Sequence, residues 1–397
     1  MIMQLEQRFI EIQNLLTIYF PLISQWDEDV LKGKGLVHPW IDKVSTFSED
    51  ELLEFDAKRN HKLLDNPEWL ELVDKIKKLT SFKCVEPPKE EVTTLGNVKK
   101  RHELNRLNST LAPLSGSSTL DFGGGVGNLA HHLEKNYNMN VLVIDSNPEL
   151  IDLGKKKLSK LNSSVTFKSI EITNKIPNEL VYASKDLAIG LHTCGNFANN
   201  MLRTCVKNKI PTILNFGCCY SKVLDDDYHL SSLADKSIKF NRRALAISTL
   251  GFSQVPTELV RYRYQIIDYK YSFYHWNYRA HNILEFKPMG NSRRRLYGKT
   301  FSDFVSTTLN KYYPQLSKPK PDELDIFYRS QENIELLKYL KSYYAIARYI
   351  GELLEAYILC DRALYLEENG YQASILEVFD PTISPRNKLI SAVRIDK

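Results

Sequence analysis

Five short, largely apolar segments alternate with helical stretches from about residue 117 to residue 216, and this alternation constrains the fold more than any other feature. The segments are Thr119–Phe122, Asn140–Asp145, Val165–Lys168, Leu187–Leu191 and Ile213–Phe216. Strand, helix and strand at this spacing predict a parallel sheet. The chain is therefore expected to contain an α/β, Rossmann-like core.

Helical sequence surrounds this core. The N-terminal region carries apolar residues at three- and four-residue spacings, and a long aromatic-rich stretch follows the fifth strand. Strand character resumes in Ala373–Phe379 and Lys388–Ile395, which we expect to form an antiparallel hairpin that completes a mostly parallel, seven-stranded sheet. The expected domains are an N-terminal helical domain (1–115), core strands one to five (116–220), a mostly helical insertion between strands five and six (221–370) and the hairpin (371–397).

Composition limits the class of protein. The chain has 397 residues, 43% of them hydrophobic, which is ample for a packed core plus an accessory domain. Six irregularly spaced cysteines argue against a disulfide framework and favour an intracellular compartment, cytoplasm or nucleus. No stretch resembles a membrane span. Charged residues interrupt the apolar residues near the start, which predicts a helix with an apolar stripe rather than the uninterrupted apolar core of a signal peptide. The oligomeric state is left open.

The turn after the first strand is rich in glycine, which lets the backbone approach a ligand closely. An acidic residue at the end of the second strand follows at roughly the twenty-residue separation at which such folds contact ribose hydroxyls. Together these features predict a nucleoside-binding site. Its expected cofactor-binding residues are Asp121, Gly123, Gly125, Gly127, Asn128 and Asp145.

Two ligands are compatible with this site. The segment Gly125–Ala130 also matches the glycine-x-glycine-x-x-alanine fingerprint for a pyrophosphate at a helix N-terminus. Asp121 favours S-adenosylmethionine instead, because a carboxylate at the strand end can face the ammonium group of that molecule and would repel a pyrophosphate. S-adenosylmethionine is the expected cofactor, and a glycine-rich turn without a ligand is the remaining alternative.

Reactive side chains follow the fourth and fifth strands. In open parallel sheets, ligands lie beyond the carboxyl ends of the strands. We expect His192 or Tyr220 to accept a proton and Asn215 to orient the nucleophile. The Asn/Asp-Pro-Pro-aromatic motif that enzymes modifying exocyclic amines of bases usually carry at strand four is absent, which argues against base N-methylation. The predicted catalytic residues are His192, Cys194, Asn215, Cys218, Cys219 and Tyr220.

The cysteines have two other interpretations. His192, Cys194, Cys218 and Cys219 are a chemically reasonable tetrahedral ligand set for zinc. The adjacent pair does not match the usual Cys-x-x-Cys knuckle, so no metal is expected. Alternatively, the cysteines are small hydrophobic residues beneath the edge of the sheet.

Two charged segments are candidates for acceptor binding. One lies on the helix before the first strand; its alternative interpretation is a solvated helix face without a function in binding. The other, Lys287–Lys320, holds eight Lys or Arg residues and one acidic residue, Asp303, with Tyr and Phe residues interleaved among the cations. This composition is suited to phosphate contacts and base stacking. The alternative interpretation is a flexible basic loop. The predicted acceptor-binding residues are Lys99, Lys100, His102, Glu103, Arg293, Arg294 and Arg295.

The chain resembles the methyltransferase-like 25 family, whose members include a protein called rRNA adenine dimethylase domain-containing protein. The likeness covers most of the chain and departs from the family at Val98, Val126 and Asn196. It rests on Lys99–Leu104, Asp121–Leu129, His192–Gly195, Gly217–Tyr220, Tyr278–Ala280, Leu359–Leu364, Phe379–Pro381 and Ser384–Asn387.

The resemblance implies a methyl donor and a Rossmann-like core. The motifs after strands four and five are also similar to those of tRNA ribose 2′-O-methyltransferases. The leading hypothesis is a methyltransferase that acts on RNA of the translation apparatus. A protein methyltransferase and a non-catalytic scaffold that binds the donor or RNA are the alternatives.

Overall fold

The computed structural model describes residues 3–88, 97–173, 185–223, 227–287, 289 and 294–395. Its central element is an eight-stranded sheet. The strands are β1 Lys83–Cys84, β2 Ser118–Phe122, β3 Asn140–Asp145, β4 Thr166–Ser169, β5 Leu187–Cys194, β6 Thr212–Cys218, β7 Tyr371–Glu377 and β8 Lys388–Arg394. Their order across the sheet is β1-β7-β8-β6-β5-β2-β3-β4.

Helices precede, follow and connect the strands. Before β2 the α-helices are α1 Leu5–Tyr19, α2 Pro21–Ser24, α3 Asp27–Leu31, α4 Pro39–Ser45, α5 Glu49–Ala57, α6 Pro67–Thr80, α7 Val98–Arg106 and α8 Asn108–Leu111. Between the core strands they are α9 Asn128–Tyr137, α10 Pro148–Ser159 and α11 Asn196–Lys207. Between β6 and β7 they are α12 Arg242–Ile247, α13 Thr257–His281, α14 Arg294–Tyr297, α15 Phe301–Tyr312, α16 Pro321–Tyr328 and α17 Gln331–Glu368. None of the helices in the described ranges is both long and apolar enough to cross a membrane.

The pairing of the strands confirms the predicted Rossmann-like sheet. Strands β4, β3, β2, β5 and β6 are parallel to one another. Strand β8 is antiparallel to β6, and β7 is antiparallel to β8. The hairpin therefore completes the sheet beside the fifth core strand, and the helices α12–α17 lie between the predicted fifth and sixth strands. The carboxyl ends of β2, β5 and β6 meet at one edge.

The sheet has one strand more than the predicted seven. Strand β1 pairs in parallel with β7 at the outer edge of the sheet. Both of its residues are exposed, so the two-residue strand has no apolar alternation that the sequence pattern could reveal.

The central strands are buried because their apolar residues pack beneath helices on both faces. Leu120 and Phe122 on β2, and Ile189 on β5, are fully buried. On α9, Leu129 and Leu133 belong to one cluster of buried side chains with Ile189. Burial on this scale contributes about 25 cal/mol for each Å² of apolar surface removed from water, and it fixes the strand ends that carry the site.

The chain divides into two compact units that differ from the predicted domains. The first unit comprises Met1–Ile18, Ile76–Ser253 and Gly351–Lys397 and contains the sheet. The second comprises Tyr19–Lys75 and Gln254–Ile350, and the secondary structure in its described residues is helical. The expected boundaries at residues 115, 220 and 370 therefore do not coincide with these units.

Candidate functional site

A glycine loop connects β2 to α9. Gly123, Gly125 and Gly127 have φ angles of 70°, 54° and 76°, in the left-handed region that glycine adopts without the steric cost of a side chain. Gly127 is also the N-terminal cap residue of α9. The backbone of this loop is therefore open to a ligand beside the N-terminus of a helix, where N–H groups have no partner within the helix.

Asp145 holds the glycine loop from the end of β3. Its Oδ2 accepts a hydrogen bond from Gly125 N at 3.0 Å, and its Oδ1 accepts one from Asn147 N at 2.9 Å. The side chain of Asn128, at the start of α9, accepts a hydrogen bond from Lys157. The structure thus places Asp145 beside the loop, as the sequence predicted. Its contact with a ribose stays a prediction.

Asp121 lies directly beneath the loop. It is 1% exposed, and a side chain at Gly124 would collide with its carboxylate. Ala130 N donates to this carboxylate, while Oδ2 has no hydrogen-bond partner among the described residues. The pKa of Asp121 is raised to about 7, chiefly by burial; Lys100 opposes this rise, and Asp145 contributes to it. A buried carboxyl with one unpaired oxygen suits a cationic ligand group, although its contact with an ammonium stays a prediction.

A second buried carboxylate, Glu103, meets His192 at the neighbouring strand end. Glu103 lies on α7, is 2% exposed, and accepts hydrogen bonds from His192 Nε2 at 2.9 Å and Ser384 Oγ at 2.8 Å. Lys99 Nζ lies 3.5 Å from the same carboxylate. Burial by itself would raise the pKa of Glu103, but these partners outweigh it and lower the pKa to about 2. Glu103 is thus held as a carboxylate.

The backbone at His192 departs from regular strand geometry. His192 has φ 68°, and the pairing of β5 with β6 shifts register between Leu191 and Thr193. A positive φ is uncommon outside glycine and costs about 1–3 kcal/mol, and such strain concentrates at functional sites. The irregularity turns the half-buried imidazole towards Glu103.

Three cysteine thiols converge beside this pair. The Sγ atoms of Cys194 and Cys218 are 3.1 Å apart, and Cys219 Sγ lies within 4.8 Å of both. The hydrogen bond from Cys218 lowers the pKa of Cys194 to about 6, against the opposing effect of burial. The same bond and burial raise the pKa of Cys218.

Comparison with known proteins now identifies the domain. A family model described as "Methyltransferase domain" matches residues 99–226, a segment that contains the glycine loop, Glu103, His192 and the three thiols. Residues 99–226 are a methyltransferase domain. S-adenosylmethionine is its cofactor, as the sequence predicted, and the glycine loop with Asp121 and Asp145 provides residues suited to hold it.

Two curated relatives confirm the resemblance to the methyltransferase-like 25 family. The mouse protein named "Probable methyltransferase-like protein 25" is 24% identical over 52% of this chain and 37% of its own length. The human protein of the same name is 25% identical over 60% of this chain and 43% of its own length. The chain thus spans less than half the length of these relatives. A solved structure, coclaurine N-methyltransferase bound to N-methylheliamine and SAH, covers 87% of this chain and 95% of its own at 14% identity and TM-score 0.29, too low to bear on the assignment.

Two predicted catalytic residues of the methyltransferase domain lie in its interior rather than at the edge of the sheet. Asn215 is fully buried on β6 and donates to Thr193 Oγ1 at 3.0 Å. Tyr220 is 1% exposed, with the Arg362 guanidinium 5.5 Å from the centre of its ring. The expectation that both side chains meet an acceptor therefore needs correction, because packing beneath the sheet edge encloses them.

The charged residues on α7 of the methyltransferase domain have separate roles. Lys99 is partly exposed and pairs with Glu103, whereas Lys100 is half-buried and burial lowers its pKa. His102 Nε2 accepts a hydrogen bond from Asp380 N at 2.9 Å, which ties α7 to the segment after β7. His102 is thus engaged in a structural contact, and Glu103 points to His192 rather than outwards to an acceptor.

The basic stretch of the second unit differs from expectation in its aromatic residues. Four of the five rings expected to stack on bases are buried in the core of that unit, because they form the apolar faces of α14 and α15 and the segment after them. They are Tyr297, Phe301, Phe304 and Tyr313. The base-stacking prediction is therefore wrong for these four. Arg293 lies outside the described residues, as do the side chains of Arg294 and Arg295.

Proposed function

We propose that this protein is an S-adenosylmethionine-dependent methyltransferase that acts on RNA of the translation apparatus. The observation that carries the proposal is the hydrogen bond between Glu103 and His192 at 2.9 Å, at the end of the strand next to the one that leads into the glycine loop. A scaffold that only binds the donor needs the loop alone. A histidine held by a buried carboxylate is the arrangement of a general base.

The pair determines which nitrogen of His192 can accept a proton. A carboxylate only accepts hydrogen bonds, so Nε2 carries hydrogen towards Glu103 and Nδ1 keeps a free lone pair. When bound, S-adenosylmethionine would supply an electrophilic methyl group and, with its bond from sulfur to that methyl group broken, would leave as S-adenosylhomocysteine. His192 Nδ1 accepts the proton of an acceptor hydroxyl as its oxygen takes that methyl group, and Glu103 stabilises the imidazolium formed.

This chemistry favours a hydroxyl acceptor such as a ribose 2′-OH, because a hydroxyl must lose its proton to become a good nucleophile. The similarity of the motifs after β5 and β6 to those of tRNA ribose 2′-O-methyltransferases supports the same acceptor. Exposed cations support RNA over protein, since phosphate contacts need solvated Lys or Arg. In the basic stretch the exposed lysines are Lys299, Lys311, Lys318 and Lys320.

The deciding experiment transfers labelled methyl groups from S-adenosylmethionine to fractionated RNA and protein from cells that lack the gene. Label is expected in RNA, at ribose positions that become resistant to alkaline hydrolysis. His192→Ala should abolish transfer and retain donor affinity. His131→Ala is the matched control, because the His131 side chain pairs with Glu134 on α9 and not with Glu103.

Three outcomes would contradict this proposal. Label confined to the protein fraction would make the acceptor a protein. Label at RNA base atoms would contradict the proposal that the acceptor is a ribose hydroxyl. Donor binding without transfer to either fraction would favour the scaffold hypothesis.

A further inference from the structure

The convergence of three thiols begins with strand register. Cys194 on β5 and Cys218 on β6 are paired positions of neighbouring parallel strands. Paired residues on adjacent strands project to the same face of a sheet. Their sulfurs therefore meet, at 3.1 Å. The shift in register between Leu191 and Thr193 is what sets Cys194, rather than Thr193, opposite Cys218.

Cys219 joins them through a second backbone irregularity. Successive residues of a strand point to opposite faces, so a thiol next to Cys218 would ordinarily point away from Cys194. Cys219 instead adopts φ 51°, in the left-handed region, where the chain leaves β6. All three sulfurs consequently lie within 4.8 Å of one another. The adjacency that argued against a metal in the sequence thus presents no obstacle in the fold.

We propose that Cys194, Cys218 and Cys219 bind a zinc ion at the carboxyl ends of β5 and β6. Soft thiolate ligands select zinc over hard cations. Zinc–sulfur bonds of about 2.3 Å in a tetrahedron separate the sulfurs by roughly 3.8 Å. The observed spacing, from 3.1 Å to no more than 4.8 Å, brackets that value, so small side-chain rotations suffice.

Three protein ligands leave the fourth coordination position of zinc open, as in catalytic rather than structural zinc sites. Cys194 and Cys219 are half-buried while Cys218 is buried, so the cluster is partly open to solvent. The open position therefore suits a water molecule or an oxygen or sulfur atom of an acceptor.

A disulfide between Cys194 and Cys218 is the competing use of the same geometry. It needs an oxidant and leaves the third thiol without a function. The left-handed backbone at Cys219 costs about 1–2 kcal/mol, which a disulfide between the other two cysteines does not require. Three thiols brought together by two irregular backbone positions favour the metal.

The test uses full-length, reduced, metal-free protein titrated with Co²⁺, which reports thiolate ligation through charge-transfer absorption in the near ultraviolet. One equivalent of Co²⁺ should produce this band, and added Zn²⁺ should displace the Co²⁺ and remove the band. Cys194→Ser, Cys218→Ser and Cys219→Ser should each weaken or abolish the band. Cys84→Ser is the matched control, because Cys84 is exposed on β1, where its thiol donates to Glu377, and its loss should leave the titration unchanged.

Thermal melting of every variant separates loss of a ligand from loss of folding. If Cys218→Ser unfolds because its position is buried, the half-buried Cys219→Ser still decides the question. Absence of the band in the folded, reduced parent would overturn the proposal. An unchanged band in Cys219→Ser, or a Cys194–Cys218 disulfide in protein freshly isolated from cells, would do the same. The titration needs neither donor nor acceptor, so its result is independent of methyl transfer.

Discussion

Glu103 and His192 are 89 residues apart in the chain, yet they meet at 2.9 Å where α7 lies beside the carboxyl end of β5. The contact joins the helix α7, which lies between β1 and β2 in the chain, to β5, the strand next to β2. Ser384, from the turn between β7 and β8, donates to the same carboxylate at 2.8 Å. The geometry of the histidine therefore depends on three separate parts of the fold.

Glu103→Gln should reduce methyl transfer by about 10²-fold or more, because an amide can no longer stabilise the imidazolium of His192. Donor affinity should stay close to that of the parent, since Glu103 does not belong to the glycine loop. Single-turnover transfer and calorimetric donor binding measure the two effects. Glu134→Gln is the matched control, because Glu134 binds Ser163 and Ser164 away from the site. Equal loss of transfer in both variants would refute the role of Glu103.

Donor affinity should rise between pH 6 and about 7 as Asp121 ionises. Burial raises the pKa of Asp121 to about 7, and an ammonium group favours the carboxylate form, so binding releases a proton below that pH. Affinity should fall again above about pH 8, where the α-amino group of the donor loses its charge. Calorimetry across this range should show the rise in the parent and its loss in Asp121→Asn. If the rise in donor affinity with pH persists in Asp121→Asn, a group other than Asp121 causes it.

Gly125→Ala and Gly116→Ala form a matched pair that separates donor binding from backbone strain. Both glycines have positive φ, at 54° and 82°, and an added Cβ would meet nothing closer than 3.9 Å at Gly125 and nothing within 4 Å at Gly116. Each variant should therefore lose about 1–2 kcal/mol of stability. Only Gly125→Ala should weaken donor binding, which calorimetry and urea unfolding determine together. Equal donor affinities in the two variants would show that the donor does not bind at the glycine loop.

Local pattern was enough to predict the core strands, the hairpin and the glycine loop. A short apolar run marks strands such as β3, and four glycines between a strand and a helix mark a ligand loop. The meeting of Glu103 with His192 could not be derived in this way, because tertiary packing decides which face of α7 meets β5. The burial of Phe304 was equally hidden, since a ring among lysines has the same composition in a core as in a binding surface.

The thiols illustrate a second limit of local pattern. From alternation alone, Cys218 and Cys219 should point to opposite faces of the sheet. The left-handed φ of Cys219 reverses that expectation, and nothing in the residue type signals it, since glycine, asparagine and aspartate are the usual residues in this region. Backbone irregularities at strand ends are therefore where prediction from sequence fails and where this site is formed.

His132, within α9, should make the free energy of unfolding depend on pH. Burial, with smaller contributions from Lys100 and His131, lowers the pKa of His132 from 6.5 to about 4 in the folded protein. Between these values the unfolded chain binds a proton that the folded protein does not. Stability is therefore complete above pH 6.5 and falls as the pH drops towards 4, by at most about 1.4 kcal/mol per pH unit for this one group. Urea unfolding at pH 7.5 and 5.5 should show a smaller difference in His132→Gln than in the parent. His131→Gln, at the neighbouring half-buried position, should keep most of the parent's difference, because burial is the main cause of the lowered pKa of His132. A difference in His132→Gln as large as that of the parent would show that other groups cause the pH dependence.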